Sequence, residues 1–165
     1  MEEGLIDNWN SVVGPDDVVY NLGDFSLRGP KHKDWYQELL SKMNGRKILI
    51  LGNHDYLKPF QYVECGFESV HTSIILPVKG WTTQYVLLAH DPAISVAMPK
   101  NMMMFCGHLH DSFRKLIDPR KILNVGVENW DYTPLEWNLA IDALKNLPPD
   151  GQFTFQDMKT SPKNS

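Results

Sequence analysis

Cysteine is scarce: only Cys65 and Cys106 occur, and they form neither a C-x-x-C pair nor a disulfide framework. That argues against a stapled secreted scaffold and makes a reduced cytoplasmic compartment the expectation. Long apolar runs are missing as well. None approaches the roughly 18 residues of a membrane-spanning helix, so no membrane partner is expected. Positive charge is in deficit, with 16 Lys+Arg against 20 Asp+Glu and a net charge of -4. A grip on nucleic acid through one large basic face is therefore disfavoured, although local patches survive such a balance. The opening Met1-Glu2-Glu3-Gly4 has neither the basic nor the apolar region of a signal peptide. What remains is a chain of 165 residues, 42% hydrophobic and 22% charged, the mix of one ordinary globular domain. The expected domain covers 1–147, followed by a loosely held polar tail over 148–165.

Leu5, Ile6, Trp9, Val12 and Val13 recur at helical spacing, and Gly14-Pro15 stops the helix they predict. A short apolar strand over 17–22 runs into Gly23-Asp24. Residues 31–43 have helical spacing, and 47–51 read as a strand buried on both faces. A short helix is expected near 60–65. Strands then follow over 70–77, 84–89, 102–106, 113–117 and 122–127, with a last helix near 135–147. Helices alternating with strands, then a strand-rich half, predict a layered α/β sandwich.

Chemistry-bearing residues gather at the ends of these strands. Asp24 ends the first; Asn53, His54 and Asp55 follow Ile-Leu-Ile-Leu-Gly; His90 and Asp91 follow Tyr-Val-Leu-Leu-Ala; His108 and His110 follow Met-Met-Met-Phe-Cys-Gly. Each cluster taken singly reads as a turn, a helix cap or one exposed strand face. Taken together, four such clusters at strand ends favour a metal site, because strand ends are where sites assemble in α/β sheets. Carboxylate and amide oxygens mixed with imidazoles suit Mn, Fe, Zn or Ni better than Mg or Ca, and manganese is the first expectation. A carboxylate can bridge two ions, and paired ions are the usual device for hydrolysing phosphate esters.

Gly23-Asp24, Gly52-Asn53-His54-Asp55, His90 and Gly107-His108-Leu109-His110 resemble, in order and spacing, the signature blocks of the calcineurin-like metallophosphoesterases. Small single-domain members from bacteria and phages are the closest in kind, and their tail resembles Asn124-Val125-Gly126-Val127-Glu128. The resemblance implies an α/β/β/α sandwich and a phosphate-ester substrate, with nucleotides and nucleic acids among the candidates. It implies that Asp24 bridges two divalent ions, that Asn53, His90 and His108 complete one shell, and that His110 binds the other ion. His54 would protonate the leaving oxygen, with Asp55 orienting its ring, and Asn53 would also meet substrate. Gly-Asp-Phe-Ser-Leu-Arg-Gly is similar to a protein-phosphatase block, which makes Arg28 a candidate phosphate contact. Leu27 stands where that block has its second Asp, and a solvated surface arginine is the competing reading.

One block of the family is absent. Its members open with a strand ending in Asp-x-His, and no Asp-x-His occurs in this sequence. The expectation is a sandwich with its first strand missing, one complete metal site and one short of two ligands. Backbone groups and apolar surface would then lie open unless another chain, such as a second copy in a homo-oligomer, covers them. A catalytically impaired binding module on the same scaffold, similar to the retromer subunit of this family, is the alternative to an enzyme. The remaining residues are read as structural: His32 as solvated, His71 without a ligand partner, Cys106 as buried, and the five tryptophans as packing.

Overall fold

The computed structural model describes residues 2–78, 84–99, 102–110, 115–118 and 120–146. The expected helix opens the chain as α1 (Glu2–Val12), and Val13 behind it is buried. Then come β1 (Val18–Asn21), α2 (Lys33–Lys42), β2 (Arg46–Ile50), α3 (Pro59–Cys65) and β3 (Ser69–His71). The second half supplies β4 (Ile74–Pro77), β5 (Tyr85–Leu88), β6 (Met103–Cys106), β7 (Lys115–Asp118), β8 (Arg120–Asn124) and α4 (Trp137–Asn146). Trp81, Phe113, Leu147 and the tail lie outside the described residues.

Two sheets result. The first is parallel, in the order β1-β2-β3, with Tyr20 beside Ile48 and Leu49 beside Val70. The second is mixed, in the order β4-β5-β6-β8-β7, parallel through β5, β6 and β8 and antiparallel at both edges. The strand expected over 70–77 is two strands in different sheets. His71 closes β3, its carbonyl accepting from Leu51 N–H at 2.8 Å, and a bend carries the chain across to β4.

Period-two alternation explains the layers. In β6, Met103 and Phe105 join the core between the sheets with Leu22, Ile50, Leu88 and Leu123, and α4 adds Ala140, Ile141 and Leu144. Met104 and Cys106 face the opposite way, against Leu87, Ile122 and Met98, the last just after a short 3-10 stretch over Pro92–Ala97. Outside the first sheet, Leu49 packs on Tyr36, Leu40 and Tyr62 of α2 and α3. The architecture is the expected layered α/β arrangement of two sheets, with one difference in the outer layers. The last helix contributes to the core between the sheets, because its apolar stripe meets β8 and the inner face of β5.

Strand β1 pairs with β2 alone among the described residues, so its other edge presents unpaired backbone groups. Beside that edge lies an open cavity of about 1130 Å³. Leu5 and Trp9 of α1, Tyr20 of β1 and Ile141 of α4 line it, and it reaches Asp24 and His108.

Candidate metal centre

The parallel strands end together, and four expected ligands meet there. Asp24 is reached by a turn through Gly23, whose φ is +92°; a Cβ there would lie 2.6 Å from both Gly52 N and His90 Nδ1. A Cβ on Gly52 would lie 2.2 Å from Asp24 Oδ1. Both glycines are thus required by close approach, and Gly23 by its left-handed φ as well.

His90 follows β5 and is almost fully buried, at 5% exposure. Its Nδ1–H donates to the Leu22 carbonyl at 2.7 Å, which leaves Nε2 as a lone pair. That lone pair faces Asn53 Oδ1 at 3.0 Å, His108 Nδ1 at 3.0 Å and Asp24 Oδ2 at 3.3 Å. Electron-rich atoms converging in this way repel one another unless a proton or a cation sits among them. A divalent cation fits that donor set, and the ligand atoms of Asp24, His90 and His108 all lie within 4.8 Å of one another. Burial first, and the neighbouring His90 second, push the His108 imidazole below its ordinary range, which favours the neutral form that binds metal.

Asp24 is held from two sides. Its Oδ1 accepts from His54 N–H at 2.8 Å, and its own N–H donates to Asp55 Oδ2 at 2.8 Å. Asp55, expected to orient the His54 ring, is bonded through its carboxylate to backbone N–H groups and a hydroxyl. Its Oδ2 also accepts from Gly52 N–H at 2.8 Å, while Oδ1 accepts from Phe25 N–H at 3.0 Å and the Tyr62 hydroxyl at 3.3 Å. Burial first and the Asp55 charge second push the Tyr62 phenol up, so it remains a donor. Asp55 thus ties the two ligand-bearing turns together by their backbones. The His54 ring has a different partner: its Nδ1 lies 2.7 Å from the Tyr56 hydroxyl.

His110 stands apart from the Asp24–His90–His108 group. Its side chain is 77% exposed, and Nδ1 lies 3.2 Å from Glu128 Oε1. Both residues line the cavity beside β1. Arg28 lines the same cavity, with its guanidinium 4.4 Å over the Trp35 ring. His32 and His71 are exposed, and His71 pairs with Ser69 Oγ. Cys106 is buried as expected, and burial pushes its thiol well up. Tyr56 and Glu128 are the neighbours that sequence reasoning did not assign. Their one signal was position, two residues after His54 and within the block after β8.

A family model described as calcineurin-like phosphoesterase matches residues 3–137. The chain belongs to that family. This calcineurin-like phosphoesterase is 31% identical to an uncharacterised protein of Methanocaldococcus jannaschii, over 88% of this chain and 76% of that protein. It is 51% identical to the gene 66 protein of Mycobacterium phage L5, over 74% of this chain and 70% of the phage protein. The crystal structure of a protein of unknown function from Aquifex aeolicus superposes with a TM-score of 0.65 at 28% identity, covering 87% of this chain and 84% of that one. Membership makes the protein a metal-dependent phosphoesterase by family, with Asp24, His90 and His108 as a group able to hold an ion. Among the described residues no helix is long and apolar enough to cross a membrane.

Proposed function

We propose that this phosphoesterase hydrolyses phosphodiesters or small phosphomonoesters with two divalent ions, manganese first among them, in the cytoplasm. The observation that carries the reading is the His90 Nε2 lone pair facing Asn53, Asp24 and His108 beside the His54 backbone. Asp24, Asn53, His90 and His108 would hold one ion, and Asp24 with His110 would contribute to the other. When bound, such ions lower the pKa of water and neutralise charge on the phosphoryl group. The chain's own residues do the rest. Asn53 offers its amide N–H groups to a phosphate oxygen while its Oδ1 faces His90. Arg28, stacked on Trp35, would bring its positive charge to the phosphate. His54 gives the proton held at Nε2 to the departing ester oxygen as the P–O bond breaks, which is worth about 10²–10⁴-fold for a basic leaving group.

A second reading has its own observation. His110 is turned to Glu128 and the β1 edge is open, which suits a metal-holding binding module with hydrolysis lost. One experiment separates the two: metal analysis of the purified chain, then chromogenic phosphate mono- and diesters of graded leaving-group pKa with added manganese. Turnover that falls in His54→Ala in proportion to leaving-group pKa supports the enzyme. Metal without turnover on any ester supports the binding module.

A further inference from the structure

The loop after β2 alternates fixed and exposed positions. Asp55 is fixed by its backbone donors, and Leu57 is buried at 4% exposure. Tyr56 between them is 52% exposed, yet both its neighbours restrict where its side chain points. Its hydroxyl lies 2.7 Å from His54 Nδ1, and its ring meets the His54 ring edge-on, with centroids 6.0 Å apart and an interplanar angle of 72°. A directional bond at one nitrogen therefore holds the imidazole, with the tyrosine ring turned steeply to its plane.

We infer that Tyr56 is the positioning residue for His54, its hydroxyl accepting the Nδ1–H so that Nε2 is the nitrogen that exchanges a proton with substrate. Exposure supplies the direction. The outward hydroxyl can give its own hydrogen to water, leaving its lone pairs for the imidazole. The inference rests on the acid role proposed for His54 and names what aims it. In the step itself, Nδ1–H stays on the ring throughout. As a water oxygen bonds to phosphorus, the leaving oxygen takes the electron pair of the breaking P–O bond and the Nε2 proton, and the proton lost by that water restores Nε2. A carboxylate in the same place would add a negative charge beside the departing oxygen; a hydroxyl fixes the ring without one.

Tyr56→Phe removes the hydroxyl and keeps the ring, so the aromatic contact survives. The first readout needs neither metal nor turnover: the ¹⁵N resonances of the His54 ring in the metal-free full chain, assigned with His54→Ala. The wild type should hold the Nδ1–H tautomer, and Tyr56→Phe should revert towards the Nε2–H form that free imidazole prefers. The second readout is turnover with manganese. Tyr56→Phe should lower kcat about tenfold for esters with poor leaving groups, a share of the usual general-acid factor, with KM and metal content unchanged. It should cost nothing further in a His54→Ala background. Identical tautomer populations in wild type and Tyr56→Phe overturn the inference, as does an undiminished loss in the double variant. A shifted tautomer with His54→Ala impaired equally on all esters upholds the hold of Tyr56 on the ring and overturns only the acid role.

Discussion

Removing the Asp55 carboxylate should destabilise the protein before any chemistry is considered. In Asp55→Ala, the N–H groups of Asp24, Phe25 and Gly52 lose their acceptor together with the Tyr62 hydroxyl. Hydrogen bonds to a charged group are worth about 1.5–3 kcal/mol each, so three backbone bonds sum to roughly 4–9 kcal/mol. Asp55 is only half-buried and water can enter the vacated space, which reduces the net loss to about 3 kcal/mol. Against a typical domain stability of roughly 5–15 kcal/mol that is a large fraction. With a urea slope of about 2 kcal/mol per M, the unfolding midpoint should fall by about 1.5 M. The assay is urea denaturation followed by tryptophan fluorescence, with chelator present so that metal linkage does not enter. Asp55→Asn should recover less than half the loss, because one oxygen remains while an amide NH₂ is turned on the other donors. Glu38→Gln, which breaks an exposed i,i+4 pair with Lys42, serves as a control and should leave the midpoint almost unchanged. If Asp55→Ala unfolds at the wild-type midpoint and loses only turnover, the carboxylate serves the His54 ring and the backbone role is refuted.

Asp24→Asn should cost more metal than any other ligand substitution, since it removes the one carboxylate of the group; unchanged metal content by elemental analysis would contradict that. Stability of the metal-free protein should decline as pH falls below about 6.5, because the depressed His108 pKa lets the unfolded chain take up a proton that the folded one refuses; a flat profile between pH 7 and 5, or the same slope in His108→Gln, would count against it. Fusing a strand that ends in Asp-x-His ahead of α1 should raise metal stoichiometry, turnover and the thermal midpoint by seating on the free edge of β1. Two tightly bound ions and full turnover in the 165-residue chain alone would refute that account.

Most of the framework is legible because it rests on local rules. The apolar spacing of α1, the stop at Gly14-Pro15, and β2 and β6, both largely buried, follow from periodicity. The grouping of Asp24, His90 and His108 was legible from their places after strand ends, which the sheets bring to one place. The division of 70–77 was not legible, because only Thr72-Ser73 lies between β3 and β4 and no Gly or Pro marks the break. The role of Asp55 was hidden for a different reason. A carboxylate next to a histidine reads as its partner, yet the residue beside it in sequence points elsewhere, and the hydroxyl at Nδ1 is one position further on. Non-local backbone donors, such as Phe25 N–H thirty residues away, leave no trace in spacing.

Three of these residues also carry backbone strain, as do Asp131 and Tyr132 elsewhere among the described residues. Asp24, His108 and His110 have φ of 52°, 69° and 45°, a left-handed region costing about 1–2 kcal/mol for an ordinary residue. Strain of that kind persists only where surrounding bonds over-determine it. At Asp24 those bonds come from Asp55. At His110 they come from the block after β8: the buried Asn124 donates through Nδ2 to the His110 carbonyl at 2.6 Å, and Asn129 Nδ2 donates to the same carbonyl at 2.8 Å. Asn124 Oδ1 in turn accepts from Gly126 N–H at 2.9 Å. A Cβ on Gly126 would lie 3.1 Å from Asn124 Oδ1 and 3.0 Å from Glu128 Oε2, so a larger residue there would press on both. The Asn-Val-Gly-Val-Glu run therefore fixes the turn that carries His110 through its backbone, and sets Glu128 against its ring.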